Sequence, residues 1–192
     1  MPKTLILPGL DGSPAPHWQH WWAATDPTAL IVEQHDWANP THEAWEADLA
    51  GAILNHPGCI LVGHSLGAVL AARILTRWPQ LQVAAALLVA PANPDCSRRL
   101  ASFAGLPDRT LNVPATLVAS RNDPWMSFQQ SCHLAQVWGA DLIDLGFAGH
   151  INVASGFGPW PAALGLRDDL AARAGLPIPR RAARIVDQRA IA

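Results

Sequence analysis

The stretch Ile60-Leu61-Val62-Gly63-His64-Ser65-Leu66-Gly67-Ala68-Val69-Leu70 constrains this chain more than any other. An apolar run with β-branched residues breaks at Gly63, passes through one serine, and resumes after Gly67 in a helix-compatible Ala/Leu/Arg pattern. The spacing G-x-S-x-G predicts a strand, a sharp turn and a helix. A residue held at such a turn adopts a strained backbone conformation, and strand and helix approach each other closely only where no Cβ intervenes. Ser65 is therefore expected to project its hydroxyl from the end of a sheet. The helix behind it offers unpaired N–H groups and a partial positive charge, both suited to a transient oxyanion, with Leu66 N–H the first donor.

The surrounding chain reads as alternating strands and helices. Thr4-Leu5-Ile6-Leu7 is a short buried strand, ended by Pro8-Gly9 and the turn-rich Leu10-Asp11-Gly12-Ser13-Pro14. In open α/β sheets ligands bind at the carboxyl ends of the strands, so the loop backbone near Leu10 is the candidate for a second oxyanion donor. A helix follows from Pro16, with Trp18, Trp21 and Trp22 on one face. Ala29–Val32 is a second strand, Thr41 caps a helix through Leu54, and Asn55-His56-Pro57-Gly58 stops it. Beyond the Ser65 unit, Val83–Ala90 is a fourth strand and residues 91–113 an irregular connection, too small for a multi-helix lid. Residues 114–120 form a fifth strand, about 127–138 a helix, 141–145 a sixth strand, and 159–174 a last helix with prolines in its first turn. Such alternation implies an α/β fold, a three-layer sandwich of about six mostly parallel strands with helices on both faces.

A serine hydroxyl becomes a competent nucleophile only when a base takes its proton. Of eight histidines, His35 and His150 follow strand ends on the functional side, and His150 lies in a loop, Gly149-His150-Ile151-Asn152, able to return the imidazole over the sheet. His150 is the preferred base and His35 the alternative; His64, adjoining Ser65, is expected to point elsewhere. The imidazole needs a carboxylate at the same edge to fix its tautomer. Asp123 follows strand five directly and precedes Pro124; Asp95, beyond strand four, is the fallback. Trp125 and Trp160 are candidates for lining an acyl pocket. Asp11 or Asp36 could hold a cationic substrate group, against solvated or structural roles.

Pro8-Gly9 with Ser13, His17-Trp18-Gln19, Asp36-Trp37 with Pro40, Gly63-His64-Ser65-Leu66-Gly67, Asn122-Asp123-Pro124, Gly149-His150-Ile151-Asn152 and Ser155-Gly156-Phe157-Gly158-Pro159-Trp160-Pro161 together resemble a known family. It is that of the small lidless serine hydrolases related to the retinoblastoma-binding hydrolase and YdeN, within the α/β-hydrolase superfamily. The resemblance covers about residues 3 to 170. It implies the strand order 2-1-3-4-5-6, hydrolysis of esters or related acyl bonds, and a triad of Ser65, Asp123 and His150 in the superfamily's chain order. No L-x-C-x-E segment is present, so binding to a retinoblastoma-type pocket is not implied.

Composition narrows the partners. Half of the 192 residues are hydrophobic and 15% are charged, which leaves room for a binding surface or a homodimer contact. Net charge is −2 and no long basic run precedes residue 180, so no nucleic-acid binding is expected. Three scattered cysteines, Cys59, Cys96 and Cys132, suit a reducing compartment, and the N-terminal apolar run is too short for a signal peptide or membrane span. A cytoplasmic protein acting on a small-molecule acyl substrate, without cofactor, is the expectation. His17 and His20 are three apart but lack a third ligand at a fitting spacing, so no metal site is expected. Residues 1–175 are expected to form one domain, and 176–192 a basic extension carrying Arg180, Arg181, Arg184 and Arg189. The competing reading is a non-catalytic binding module that uses a surface rich in the chain's nine tryptophans.

Overall fold

Strands rich in Val, Ile, Leu and Ala, buried along both faces, require cover on both sides, and the helices between them supply it. The computed structural model describes residues 2–177. Six strands, β1 (Thr4–Leu7), β2 (Ala29–Ile31), β3 (Cys59–His64), β4 (Val83–Val89), β5 (Ala115–Ala119) and β6 (Asp141–Asp144), form one sheet in the order β2-β1-β3-β4-β5-β6. Every pairing is parallel. The helices are α1 (Trp18–Thr25), α2 (His42–Asn55), α3 (Leu66–Arg77), α4 (Phe128–Trp138) and α5 (Pro161–Arg173). Most element ends fall within a residue or two of the sequence expectation. Residues 91–113 hold only two short 3₁₀ turns, Pro94–Cys96 and Arg98–Phe103, so no large lid is built there.

Alternate strand residues face opposite layers. Leu5, Leu7, Leu61, Ala86, Leu88 and Leu117 pack against α2, α3 and α4, where Trp45, Leu49, Phe103 and Trp138 fill the widest gaps. Ile6, Ile60, Val62, Leu87 and Val118 pack against α1 and α5, chiefly through Trp18, Trp22, Ala163 and Leu170. Cys59 lies at the start of β3 in the core, and burial pushes its thiol pKa up to about 12.

The tryptophans belong to these interiors. Trp18, Trp22, Trp45 and Trp138 are fully buried, and among the nine only Trp78, at 41%, is exposed. The Trp-rich surface that the binding-module reading needs is therefore not present: large rings bury more apolar area than any other side chain, and here they do so beneath the helices.

Local sequence fixes the helix ends. Thr41 caps α2 by accepting from Ala44 N–H, and Ser127 with Gln130 forms a capping box on α4. Gln19, buried in α1, donates to both Leu7 O and Val62 O and so ties α1 to the carboxyl ends of β1 and β3. Arg167, buried in α5, reaches Thr4 Oγ1 at 2.7 Å and Asp26 at 3.1 Å, with its guanidinium over the Trp22 ring. The extension predicted for 176–192 lies, apart from Leu176 and Pro177, outside the described residues.

Candidate active site

Ser65 stands between β3 and α3 with φ 55° and ψ −121°, a left-handed conformation that a serine holds only under tight surrounding packing. Glycines provide the packing. A methyl at Gly67 would strike Leu7 O, and one at Gly63 would lie 2.6 Å from Ala68 Cα, so strand and helix meet backbone to backbone. A methyl at Gly9 would come within 2.8 Å of Ser65 Cβ, which brings the loop after β1 directly against the serine.

Three side chains predicted from distant parts of the chain converge. Ser65 Oγ lies 2.9 Å from His150 Nε2, and His150 Nδ1 lies 2.9 Å from both carboxylate oxygens of Asp123. A carboxylate only accepts, so His150 carries its proton on Nδ1 and presents a lone pair on Nε2 to the serine hydroxyl. The side chains of His150 and Asp123 are 7% and 4% exposed, so the pair is shielded from water. His35 is exposed, with its backbone N–H on Asp48, and Asp95 is exposed on the connection after β4; neither alternative reaches the serine.

The loop that carries His150 is held at several points. His64 points away from Ser65, as its position beside the turn requires, and its Nε2–H donates to His150 O at 2.8 Å. Trp18 Nε1–H donates to Ile151 O at 2.9 Å. Asn122 Oδ1 accepts from Gly149 N–H, and Ser155 Oγ accepts from His150 N–H. Asp123 is steadied in turn by Trp125 N–H, which donates to its Oδ1. His64 and His17 sit on one side of His150, with ring centroids 4.9 Å apart for His64 and His150 and 5.0 Å for His17 and His64. Burial drives the His64 pKa well below its ordinary value, with the His150 and His17 rings adding to it. Burial first, then His150, brings His17 down to about 4, so both rings are neutral near pH 7.

The positioning roles of His17, His64, Trp18 and Asn122 were not read from the sequence. The His17-Trp18-Gln19 and Asn122-Asp123-Pro124 segments marked the right places. The hydrogen bonds of Trp18, His64 and Asn122, however, join positions 27 to 133 residues apart.

A cavity of about 190 Å³ opens at Ser65, lined by Gly9, Leu10, His17, Leu100, Trp125 and His150 among others. The N–H groups of the first helical turn lack intrahelical acceptors, and Leu66, the first residue of α3, directly follows Ser65. In the loop after β1, Asp11 N–H goes to Trp37 O and Gly12 N–H to Gly9 O, while Leu10 N–H takes no backbone partner among the described residues.

The sequence candidates for substrate contact divide. Trp125 lines the cavity. Trp160 does not: it packs edge-to-face on Trp18 and Phe157, because the proline-rich entry to α5 turns it into the layer below. Asp11 borders the cavity, but Arg99 holds its carboxylate through contacts of 2.6 and 3.0 Å, and that hydrogen bond lowers its pKa. Asp36 caps its own turn through Ala38 and Asn39 N–H. Among the described residues no three His, Cys, Asp or Glu side chains gather to hold a metal, and no helix is long and apolar enough to cross a membrane.

A six-stranded parallel sheet in this order, with a strained serine between its central strand and the following helix, defines the α/β-hydrolase fold. The chain belongs to the serine hydrolase family, whose model matches residues 4–167. No curated protein matches it. Among solved structures it is similar to a YdeN-like hydrolase from Pectobacterium atrosepticum, with 32% identity, a TM-score of 0.82 and coverage of 91% of this chain and 92% of that one. The ydeN gene product of B. subtilis shares the fold at 22% identity and a TM-score of 0.76, over 90% of this chain and all of that one. So does Thermogutta terrifontis esterase 2, solved phosphonylated by cyclosarin, at 16% identity and a TM-score of 0.67, over 93% and 85% of the two chains.

Proposed function

We propose that this chain hydrolyses small carboxylic esters through an acyl-enzyme, with Ser65 as nucleophile, His150 as general base and acid, and Asp123 as the orienting carboxylate. The observation that carries this reading is the unbroken line of contacts from Ser65 Oγ through both nitrogens of His150 to Asp123.

Attack of Ser65 Oγ on the ester carbonyl transfers the hydroxyl proton to His150 Nε2. The imidazolium so formed is stabilised by Asp123 against Nδ1–H, and it returns the proton to the departing alcohol. The carbonyl oxygen, now an anion, is taken up by Leu66 N–H and Leu10 N–H, aided by the positive end of α3. Each such donor is worth about 3 kcal/mol of barrier in comparable sites. Water activated by the same imidazole then releases the acid and frees Ser65. The small cavity and the absence of a built-up lid over residues 91–113 support a short acyl group.

A fluorophosphonate probe tests the reading, since a related fold in Thermogutta terrifontis esterase 2 is phosphonylated by cyclosarin. The wild-type protein is expected to label and to turn over activated esters such as p-nitrophenyl butyrate, and Ser65→Ala to do neither. A folded wild-type protein inert to both the probe and a panel of activated esters would sink it.

A further inference from the structure

His17 is a buried polar group at the cavity that the chemistry above leaves unused. Most of its neighbours there are already engaged. Ser13 Oγ donates to Gln19 Oε1, Asp11 is held by Arg99, His64 Nε2–H is given to His150 O, and Asn152 Oδ1 accepts from Ser155. His17 is the N-cap of α1, and its Nδ1 accepts from Gln19 N–H at 3.2 Å. A nitrogen that accepts from an amide carries no proton, so the neutral ring of His17 must bear its hydrogen on Nε2. That Nε2 takes no partner among the described residues, yet it is not one of the buried polar atoms sealed from solvent. The residue is 6% exposed and is part of the lining of the cavity beside Ser65 and His150, where substrate would lie.

We propose that His17 is a substrate-binding residue whose Nε2–H donates a hydrogen bond to an oxygen on the acyl chain, so that the enzyme selects short oxygen-substituted acyl groups over their alkyl isosteres. The inference rests on the ester-hydrolase reading and extends it to a substrate class. The acyl part stays bonded to Ser65 through deacylation, so it is the part the cavity must house. With a volume of about 190 Å³ the cavity takes only a short chain, and His17 is part of the wall around it. A ring whose other nitrogen is fixed by its own helix is a preorganised donor, and a buried donor left facing an alkyl chain loses its bond to water without a replacement.

The test compares kcat/KM for p-nitrophenyl methoxyacetate with that for p-nitrophenyl butyrate, which differ by an ether oxygen in place of a methylene. Dividing each variant's ratio by the wild-type ratio removes the intrinsic reactivity of the two esters. In His17→Asn the amide stands near the Nδ1 position and keeps the cap on α1, but reaches no further. In His17→Gln the amide reaches the Nε2 position. The normalised ratio is expected to fall about fivefold to tenfold in His17→Asn and to stay within about threefold of wild type in His17→Gln. Fluorophosphonate labelling is expected to persist in both.

An unchanged ratio in His17→Asn, or an equal fall in both variants, overturns the proposal and leaves the hydrolase reading standing. Loss of labelling and turnover in the wild-type protein overturns both. A measurement on the wild-type protein guards against a variant that does not fold: long-range ¹H–¹⁵N spectra at neutral pH are expected to show His17 as the Nε2–H tautomer, and a Nδ1–H or charged ring refutes the assignment.

Discussion

Mild acid should destabilise this fold through His17. An unfolded histidine titrates near 6.5, whereas burial and the His150 ring bring His17 to about 4. Between those values the folded protein binds fewer protons than the unfolded chain, so stability rises with pH across that window. The contribution is fully present above 6.5 and is lost as pH falls toward 4. At pH 4.5 the unfolded ring is about 99% protonated and the folded ring about one quarter, which amounts to about 2.5 kcal/mol relative to pH 7.5. The carboxylates whose pKa is lowered in the fold, among them Asp11, Asp26 and Asp144, add most of their own losses below about 4, and add them to wild type and variant alike. His64 shifts in the same direction chiefly through burial, which the variant keeps. Urea unfolding followed by tryptophan fluorescence at the two pH values measures the effect. His17→Asn, which keeps the cap and removes the titrating ring, is expected to lose about 2.5 kcal/mol less than wild type on acidification. Parallel losses in the two proteins would show that His17 is not held neutral by the fold, and the reasoning would fail.

Four further outcomes are expected. Asp123→Asn should leave the fold intact while lowering kcat by about 10⁴, the size of the loss when the orienting carboxylate of a serine protease is replaced, measured by ester hydrolysis. Gly67→Ala should cost more than about 2 kcal/mol or prevent folding, because its methyl meets the Leu7 carbonyl. Gly51→Ala, with open space at its Cβ in the middle of α2, should raise stability by about 0.5–1 kcal/mol, and thermal melts of the two compare them directly. Arg167→Ala should destabilise by about 3 kcal/mol in urea titrations, since it withdraws a buried guanidinium from Asp26, Thr4 and the Trp22 face.

The parts of this structure that local chemistry dictates were legible in the chain. Gly63 and Gly67 flank Ser65 because backbone must touch backbone there. The parallel sheet followed from strands too apolar to tolerate one wet face, and Asp123 and His150 stood out as groups placed just beyond strand ends. The order of the strands came from the family resemblance. What the sequence hid were contacts formed between loops. Asp11 reads as a free carboxylate until Arg99, from the connection after β4, reaches across to hold it. Trp160 lies ten residues beyond His150 in sequence, yet the turn through Phe157 and Gly158 rotates its ring onto Trp18. His17 read as a residue at the start of a helix, three positions from His20 and without a third metal ligand. Its meaning emerges only when α1, fastened by Gln19 to β1 and β3, carries that ring to the wall of the cavity.

The missing methyl groups at Gly9 and Gly67 lock the rim on both flanks of the serine, so neither flank can shift without dragging the other. Change in what the enzyme accepts therefore has to come from the other walls of the cavity, at Leu100 and Trp125, and Gly105 close after Leu100 has open space around it. Lineages descended from such a frame would be expected to differ there in length and composition, while the floor beneath stays immobile.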